Sequence, residues 1–341
     1  MFACSTSGIL KQLEYVMKNL KIFIVVMLVF ISSAGKNFAQ PDLSKPLGPT
    51  IADTGSKFYR FEKFDLDSND GKRHYRITVA IPKTGKPETA YPVLYMLDGN
   101  AALSELNDDL LSRLELLPVI VAIGYNTELR FDVVSRAFDY TPALPDGSQP
   151  NDEHGRKGGG ADIFADFIET KIKPKVESLV RIDKQRQTIW GHSYGGLFVL
   201  NALFKHPEMF QNYVAADPSF WWQDGVILKI ETQFAEQTVK KGIEKNKLSL
   251  AVLVGNGATP QRRNAEHTTD SAAEQTSEHP ADSAAKRPAN IRRSAPPNTA
   301  KDLIKRFEPQ LKTSKFRVFE GLSHGQMLPA SIEPALRVSV K

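Results

Sequence analysis

Apolar residues in this chain fall into short continuous runs bounded by turn formers, and one stretch alternates. Tyr75-Arg-Ile-Thr-Val-Ala-Ile81 has the two-residue period of a half-exposed strand. Residues 93–97, 119–123 and 248–254 are apolar throughout, which is the pattern of strands buried on both faces of a parallel sheet. Residues 188–190, 213–216 and 316–319 predict three more strands. Between them Ile163, Phe167, Ile168, Ile172, Val176 and Leu179 recur at helical spacing, and Pro174 is expected to kink or divide that helix. Strands alternating with helices predict an α/β fold with a mostly parallel central sheet and helices on both faces.

Three segments stand outside this pattern. Met17-Lys18-Asn19-Leu20-Lys21, the apolar run 22–31 and then Ser32-Ser33-Ala34 have the charged, apolar and small-residue parts of a secretory signal. The run is shorter than the roughly 20 residues a spanning helix needs, so residues 1–39 read as an upstream extension plus a signal, with an uncleaved membrane anchor as the weaker alternative. Residues 40–56 carry Pro and Gly without periodicity and read as a linker to a domain over 57–341. Inside that domain, residues 258–300 lack aromatic residues and are rich in Ala, Ser, Thr, Glu, Arg and Pro. Such a segment buries too little surface to offset its ordering entropy, which predicts a disordered insert.

Gly191-His192-Ser193-Tyr194-Gly195 matches G-x-S-x-G, with an apolar strand before it and the helical run 196–204 after it. The glycines permit a tight strand-to-helix turn that lifts a serine hydroxyl above the sheet, so Ser193 is the expected nucleophile. A hydroxyl needs a base, and histidine titrates near neutrality. Of the seven histidines, His192 is expected to turn away from its neighbour and pack. His206 precedes Pro207 at a helix end, His267 and His279 fall in the insert, and His74 and His154 precede the serine, against the Ser–acid–His order of such sites. That leaves His324, in a loop after the strand 316–319. The acid stays open: Gly255-Asn256-Gly257 after the strand 248–254 offers no carboxylate, Asp217 beyond the strand 213–216 is the nearest choice, Glu266 is a weaker one, and a Ser–His pair alone is also a working arrangement. The amide of Tyr194 and one from Gly99 or Asn100, in the Asp98-Gly99-Asn100 turn, are the expected oxyanion donors.

Beyond these motifs, the chain resembles the Putative esterase family of α/β-hydrolases, and within it the periplasmic hydrolases that open the trilactones of catecholate siderophores such as enterobactin and salmochelin. The resemblance rests on Tyr91-Pro-Val-Leu-Tyr-Met-Leu-Asp-Gly-Asn100, Val121-Ala-Ile-Gly-Tyr125, Ser135-Arg-Ala-Phe-Asp-Tyr-Thr-Pro142, Gly158-Gly-Gly160, the serine motif, and Pro218-Ser219 with Trp221 and Trp222. It implies an α/β-hydrolase fold, Ser193 and His324 as the reacting pair, and a cleft using Arg130, Arg136, Tyr140 and Arg156. Arginine suits anionic, aromatic catecholates because its planar fork binds oxygen and stacks on rings. The alternative for these arginines is a salt bridge that anchors their own loop.

Charge and cysteine content narrow the choices. The net charge is +5, but residues 1–40 hold four lysines against one glutamate, leaving +2 for the rest and no basis for a nucleic-acid partner. The single cysteine, Cys4, precedes the predicted domain and excludes thiol chemistry within it. Metal-ligand motifs are absent, so no metal or other cofactor is expected. The reading is a periplasmic serine esterase. Its competitors are an esterase or acyltransferase using another ester or thioester, and a catalytically silent siderophore binder.

Overall fold

A strand buried on both faces has to be apolar at nearly every position, as residues 91–96 and 119–125, buried throughout, are. A computed structural model describes residues 46–84, 90–257 and 298–341; the signal, part of the linker and nearly all of the predicted insert lie outside them. The strands are β1 (Tyr59–Asp67), β2 (His74–Pro82), β3 (Tyr91–Met96), β4 (Val119–Tyr125), β5 (Ile182–His192), β6 (Asn212–Ala216), β7 (Ser249–Gly255) and β8 (Thr313–Phe319). They form one sheet in the order β1-β2-β4-β3-β5-β6-β7-β8. β1 with β2 and β2 with β4 are antiparallel, and every other pair is parallel. This is the mostly parallel α/β sheet expected.

Successive strand residues divide between two cores. Val93, Tyr95, Val119, Val121 and Ile189 pack on one face, beside the helices Ala161–Phe167 and Tyr194–Lys205. Leu94, Met96, Ile120, Ala122 and Trp190 pack on the other, beside Gly99–Glu105 and Met327–Ser339. Trp190 donates its indole N–H to Ser331 Oγ at 3.0 Å, tying β5 to the last helix. With apolar side chains on both faces, each strand contributes to two cores at about 25 cal/mol per Å² of buried apolar surface.

Two expectations change, one strand is added and one expectation is met. β2 was expected to be half exposed; Tyr75, Ile77, Val79 and Ile81 are its buried apolar face, but Thr78 and Ala80 on the other face are buried as well. Part of the predicted linker is folded: a capping box between Thr50 and Asp53 starts the short helix Ile51–Thr54, Ile51 is buried in the same core as Ala80, and Pro46 bridges to Leu129. β1 escaped the pattern search because its apolar residues change face in mid-strand. Phe61 packs on one core, while Phe64 and Leu66 pack on the other. Finally, the helix containing Pro174 is divided as expected, through a π turn at Ile168–Ile172 that precedes the helix Lys173–Leu179 and accommodates the missing proline N–H.

The helix Val133–Tyr140 is held against the sheet by a buried polar cluster. Asp139 pairs with Arg73 at 2.9 Å and accepts the hydroxyls of Tyr75 at 2.9 Å and Tyr125 at 3.0 Å. Removing one member leaves buried polar groups unpaired, which costs more than the cluster contributes net. We expect Asp139→Ala to lower the unfolding free energy by about 3–5 kcal/mol, read from urea midpoints; a change below about 1 kcal/mol would remove the cluster from the fold's stabilising contacts.

Candidate active site

The ends of β3, β5 and β6 lie side by side, and each passes into a residue whose backbone is forced to positive φ without being glycine: Asp98 (51°), Ser193 (60°) and Asp217 (42°). Such conformations cost about 1–3 kcal/mol each and persist only where neighbours enforce them. For Ser193 the enforcement is visible. Its N–H donates to Ala216 O at 3.0 Å, and Gly191 approaches the opposite limb of the turn so closely that a Cβ there would lie 2.4 Å from the Gly195 backbone. The turn delivers Ser193 to the N-terminus of the helix Tyr194–Lys205, whose first amides have no partner within the helix.

Ser193 Oγ stands 3.0 Å from His324 Nε2, and His324 Nδ1 stands 3.2 Å from Asp217 Oδ2. Asp217 is fixed by its own N–H, donated to Leu253 O at 2.7 Å, and by accepting the Gly255 N–H at 3.3 Å. Ser193 Oγ also lies 3.3 Å from the hydroxyl of the buried Ser219. His324 opens a 3-10 turn stabilised by a capping box between Ser323 and Gln326, directly before the helix Met327–Ser339. Gly257 N–H donates to Leu322 O at 2.8 Å, and a Cβ at Gly255 would sit 2.3 Å from that same oxygen. The Gly255-Asn256-Gly257 segment, with no carboxylate to offer, is therefore the bed on which the histidine loop lies. The acid comes from one strand earlier.

This arrangement holds a hydroxyl, an imidazole and a carboxylate in line, as proton transfer from an attacking hydroxyl requires. His192, Asp217 and His324 also have potential metal-ligand atoms within 4.8 Å of one another. Those atoms already serve each other or the backbone: His324 uses both ring nitrogens on Ser193 and Asp217, and His192 Nε2–H donates to the His324 carbonyl at 2.8 Å. Contrary to expectation, His192 does not turn away into packing. Burial, then the neighbouring His324, hold its pKa well below the usual imidazole value. The other described histidines stand with Asp67, Glu153 and Asp162 and have no part here.

The groups expected around the cleft are placed differently from the expectation. Tyr140 is fully buried, and its hydroxyl accepts the Asp98 N–H at 3.0 Å, so it is a core residue rather than a substrate contact. Arg136 binds Asp98 through two 2.8 Å hydrogen bonds and lies over the rings of Phe131, Tyr140 and Tyr194. Burial would pull its pKa down, but the Asp98 carboxylate raises it above the ordinary value, so the pair is a closed ionic unit beneath the site. Arg130 pairs with Glu105, and Arg156 with Asp152 at 2.6 Å; both stay partly exposed. These are the loop-anchoring salt bridges foreseen as the alternative.

Gly99 gives no room to a substrate carbonyl through its missing side chain. A Cβ there would meet the β4 backbone at 2.6 Å, so the glycine lets the helix Gly99–Glu105 lie on that strand. The Asn100 side chain is committed to Tyr125 and Thr127 backbone groups at 2.9–3.1 Å, leaving only backbone amides on this loop for an oxyanion. Tyr194 contacts Trp221 and Trp222, with ring centroids 5.7 and 5.5 Å away, and burial pushes its hydroxyl up to about 12. A depression of about 360 Å³ lined by Lys63, Arg76, Asn100 and Glu128 includes none of Ser193, His324 or Asp217. Ser219 lay in a motif of the resemblance without a role attached to it, and the His192 contact carried no local sequence signal, because both contacts join parts of the site distant in the chain.

The comparisons agree with the geometry. The family model described as Putative esterase matches residues 68–294. The apo-salmochelin esterase of Escherichia coli O6:H1 is 48% identical over 204 residues, 58% of this chain and 63% of its own length, so the match spans just under two thirds of that relative. The ferri-bacillibactin esterase BesA of Bacillus subtilis is 35% identical over 219 residues, 61% of this chain and 73% of its own. The solved structure of the enterobactin hydrolase IroE in complex with DFP is 36% identical, covers 86% of this chain and is itself covered completely, with a TM-score of 0.63. The strand order, the serine turn and these matches together make the chain a member of the Putative esterase family of α/β-hydrolases.

Proposed function

We propose that this protein is a serine esterase that hydrolyses the lactone esters of a catecholate siderophore of the enterobactin or salmochelin kind. The observation that carries the reading is the continuous Ser193–His324–Asp217 hydrogen-bonded line at the carboxyl ends of β5 and β6. Ser193 attacks the lactone carbonyl while His324 Nε2 takes its proton; Asp217 holds the imidazole tautomer and stabilises the imidazolium that forms. The Tyr194 amide and a backbone amide of Gly99 or Asn100 receive the oxyanion. His324 then returns its proton to the leaving hydroxyl, and in the second half-reaction activates water to release the acyl group. The presence of Asp217 at 3.2 Å favours a triad over a Ser–His pair.

The substrate class is supported by the relatives, which are esterases of salmochelin and bacillibactin and a hydrolase of enterobactin. The partly exposed Trp221, backed by the buried ring of Tyr194, offers an aromatic face against which a catechol ring can lie. Export rests on the signal pattern at residues 17–34, which assigns the enzyme to the periplasm; among the described residues no helix is long and apolar enough to cross a membrane.

Incubation with enterobactin and with p-nitrophenyl butyrate, with mass detection of linearised products, tests the reading. Opening of the trilactone is expected; turnover of the simple ester alone would replace the substrate, and binding without any turnover would replace the enzyme class. Ser193→Ala should retain siderophore binding while kcat falls by at least about 10³-fold. Asp217→Asn should lower kcat on both esters by on the order of 10²-fold or more at unchanged fold; wild-type turnover in that variant would leave a Ser–His pair as the complete machinery.

A further inference from the structure

The residue before the nucleophile closes β5, and its ring lies against that of the general base. His192 is 7% exposed, its ring centroid lies 4.7 Å from that of His324, and its Nε2–H reaches the His324 backbone carbonyl at 2.8 Å. His324 is thus gripped at three points: Nε2 by Ser193, Nδ1 by Asp217, and the main chain by His192. The third contact matters because the loop carrying His324 follows the edge strand β8 and is partly exposed. The capping box and the Gly257–Leu322 hydrogen bond hold its neighbours, and the His192 contact acts on the carbonyl of His324 itself.

On the reading of the site as a serine hydrolase, we propose that His192 is a positioning residue for the reaction, fixing the His324 imidazole over Ser193 by hydrogen-bonding the His324 carbonyl. Because His192 ends β5 and Ser193 follows it directly, this contact references the base to the same backbone that carries the nucleophile. A misplacement of about 1 Å between reacting groups costs up to about 10²-fold in rate. The donor must be Nε2–H, and burial together with the neighbouring His324 holds the ring's pKa low, so it stays uncharged beside an imidazole that becomes positive during turnover. Arg136 is the other cation acting on this ring, and Asp98 neutralises it. His192 touches no substrate atom in this role and exchanges no proton with it.

The test compares His192→Gln, whose side-chain amide can still donate to the carbonyl, with His192→Phe, which keeps a ring and loses the donor. For each, kcat and KM on p-nitrophenyl butyrate, the rate of Ser193 phosphonylation by a fluorophosphonate, and the thermal midpoint are measured. His192→Phe should lose about tenfold in kcat and in labelling rate with KM unchanged, while His192→Gln stays within about threefold of wild type. A folded Phe variant labelled at the wild-type rate overturns the proposal, as does a folded Gln variant impaired as far as Phe. If the Phe variant fails to fold, His192→Met supplies the donor-free comparison under the same criteria. Ser193→Ala is run alongside: ester turnover persisting there would sink the hydrolase reading itself, whatever the His192 variants do.

Discussion

The structure depends on holding three adjacent parallel strands open at their carboxyl ends in backbone conformations that ordinary residues avoid. Asp98, Ser193 and Asp217 all take positive φ, and none is glycine. Each is pinned by a partner from a neighbouring element: the Tyr140 hydroxyl for Asp98, the Ala216 carbonyl for Ser193, the Leu253 carbonyl for Asp217. The strain turns each chain sharply out of the sheet, so a nucleophile, an acid and an amide-bearing loop converge at one spot. The two cores on either side of the sheet supply the free energy that keeps these turns from relaxing.

Electrostatics follow the same plan of closed units. The Arg136–Asp98 pair is buried under the aromatic rings of Phe131, Tyr140 and Tyr194, so its charges cancel where an isolated one would be costly. The Asp139–Arg73 cluster performs the equivalent task one turn away on the same helix. Those pairs leave the His324–Asp217 couple as the charge arrangement that the reaction alters. A neutral His192 against His324 adds no positive charge of its own there.

The histidine loop illustrates how a site can be assembled from parts with no chemical residues of their own. Gly255 and Gly257 accept the loop closely, the Ser323–Gln326 box starts its turn, and the helix Met327–Ser339 anchors it through buried Met327, Leu328 and Ile332. None of these touches the serine. All of them decide where the imidazole stands.

The serine turn and the parallel core strands were legible in the sequence because their signals are local: glycines at fixed offsets around Ser193, and unbroken apolar runs in strands covered on both faces. His324 could be reached by elimination, since few histidines follow the serine outside the insert. The acid could not be decided, because its identity depends on which strand end faces the loop of His324, a relation spanning 107 positions that only the strand order β5-β6-β7-β8 sets. Composition also could not tell a ligand-binding arginine from an anchoring one: Arg136 looks the same in the sequence whichever carboxylate it meets, and folding gave it Asp98. The strand β1 and the role of His192 were hidden for the same reason, as each depends on a face or a carbonyl contributed by a distant part of the chain. Local spacing encodes which groups can react; packing across the sheet selects which of them meet.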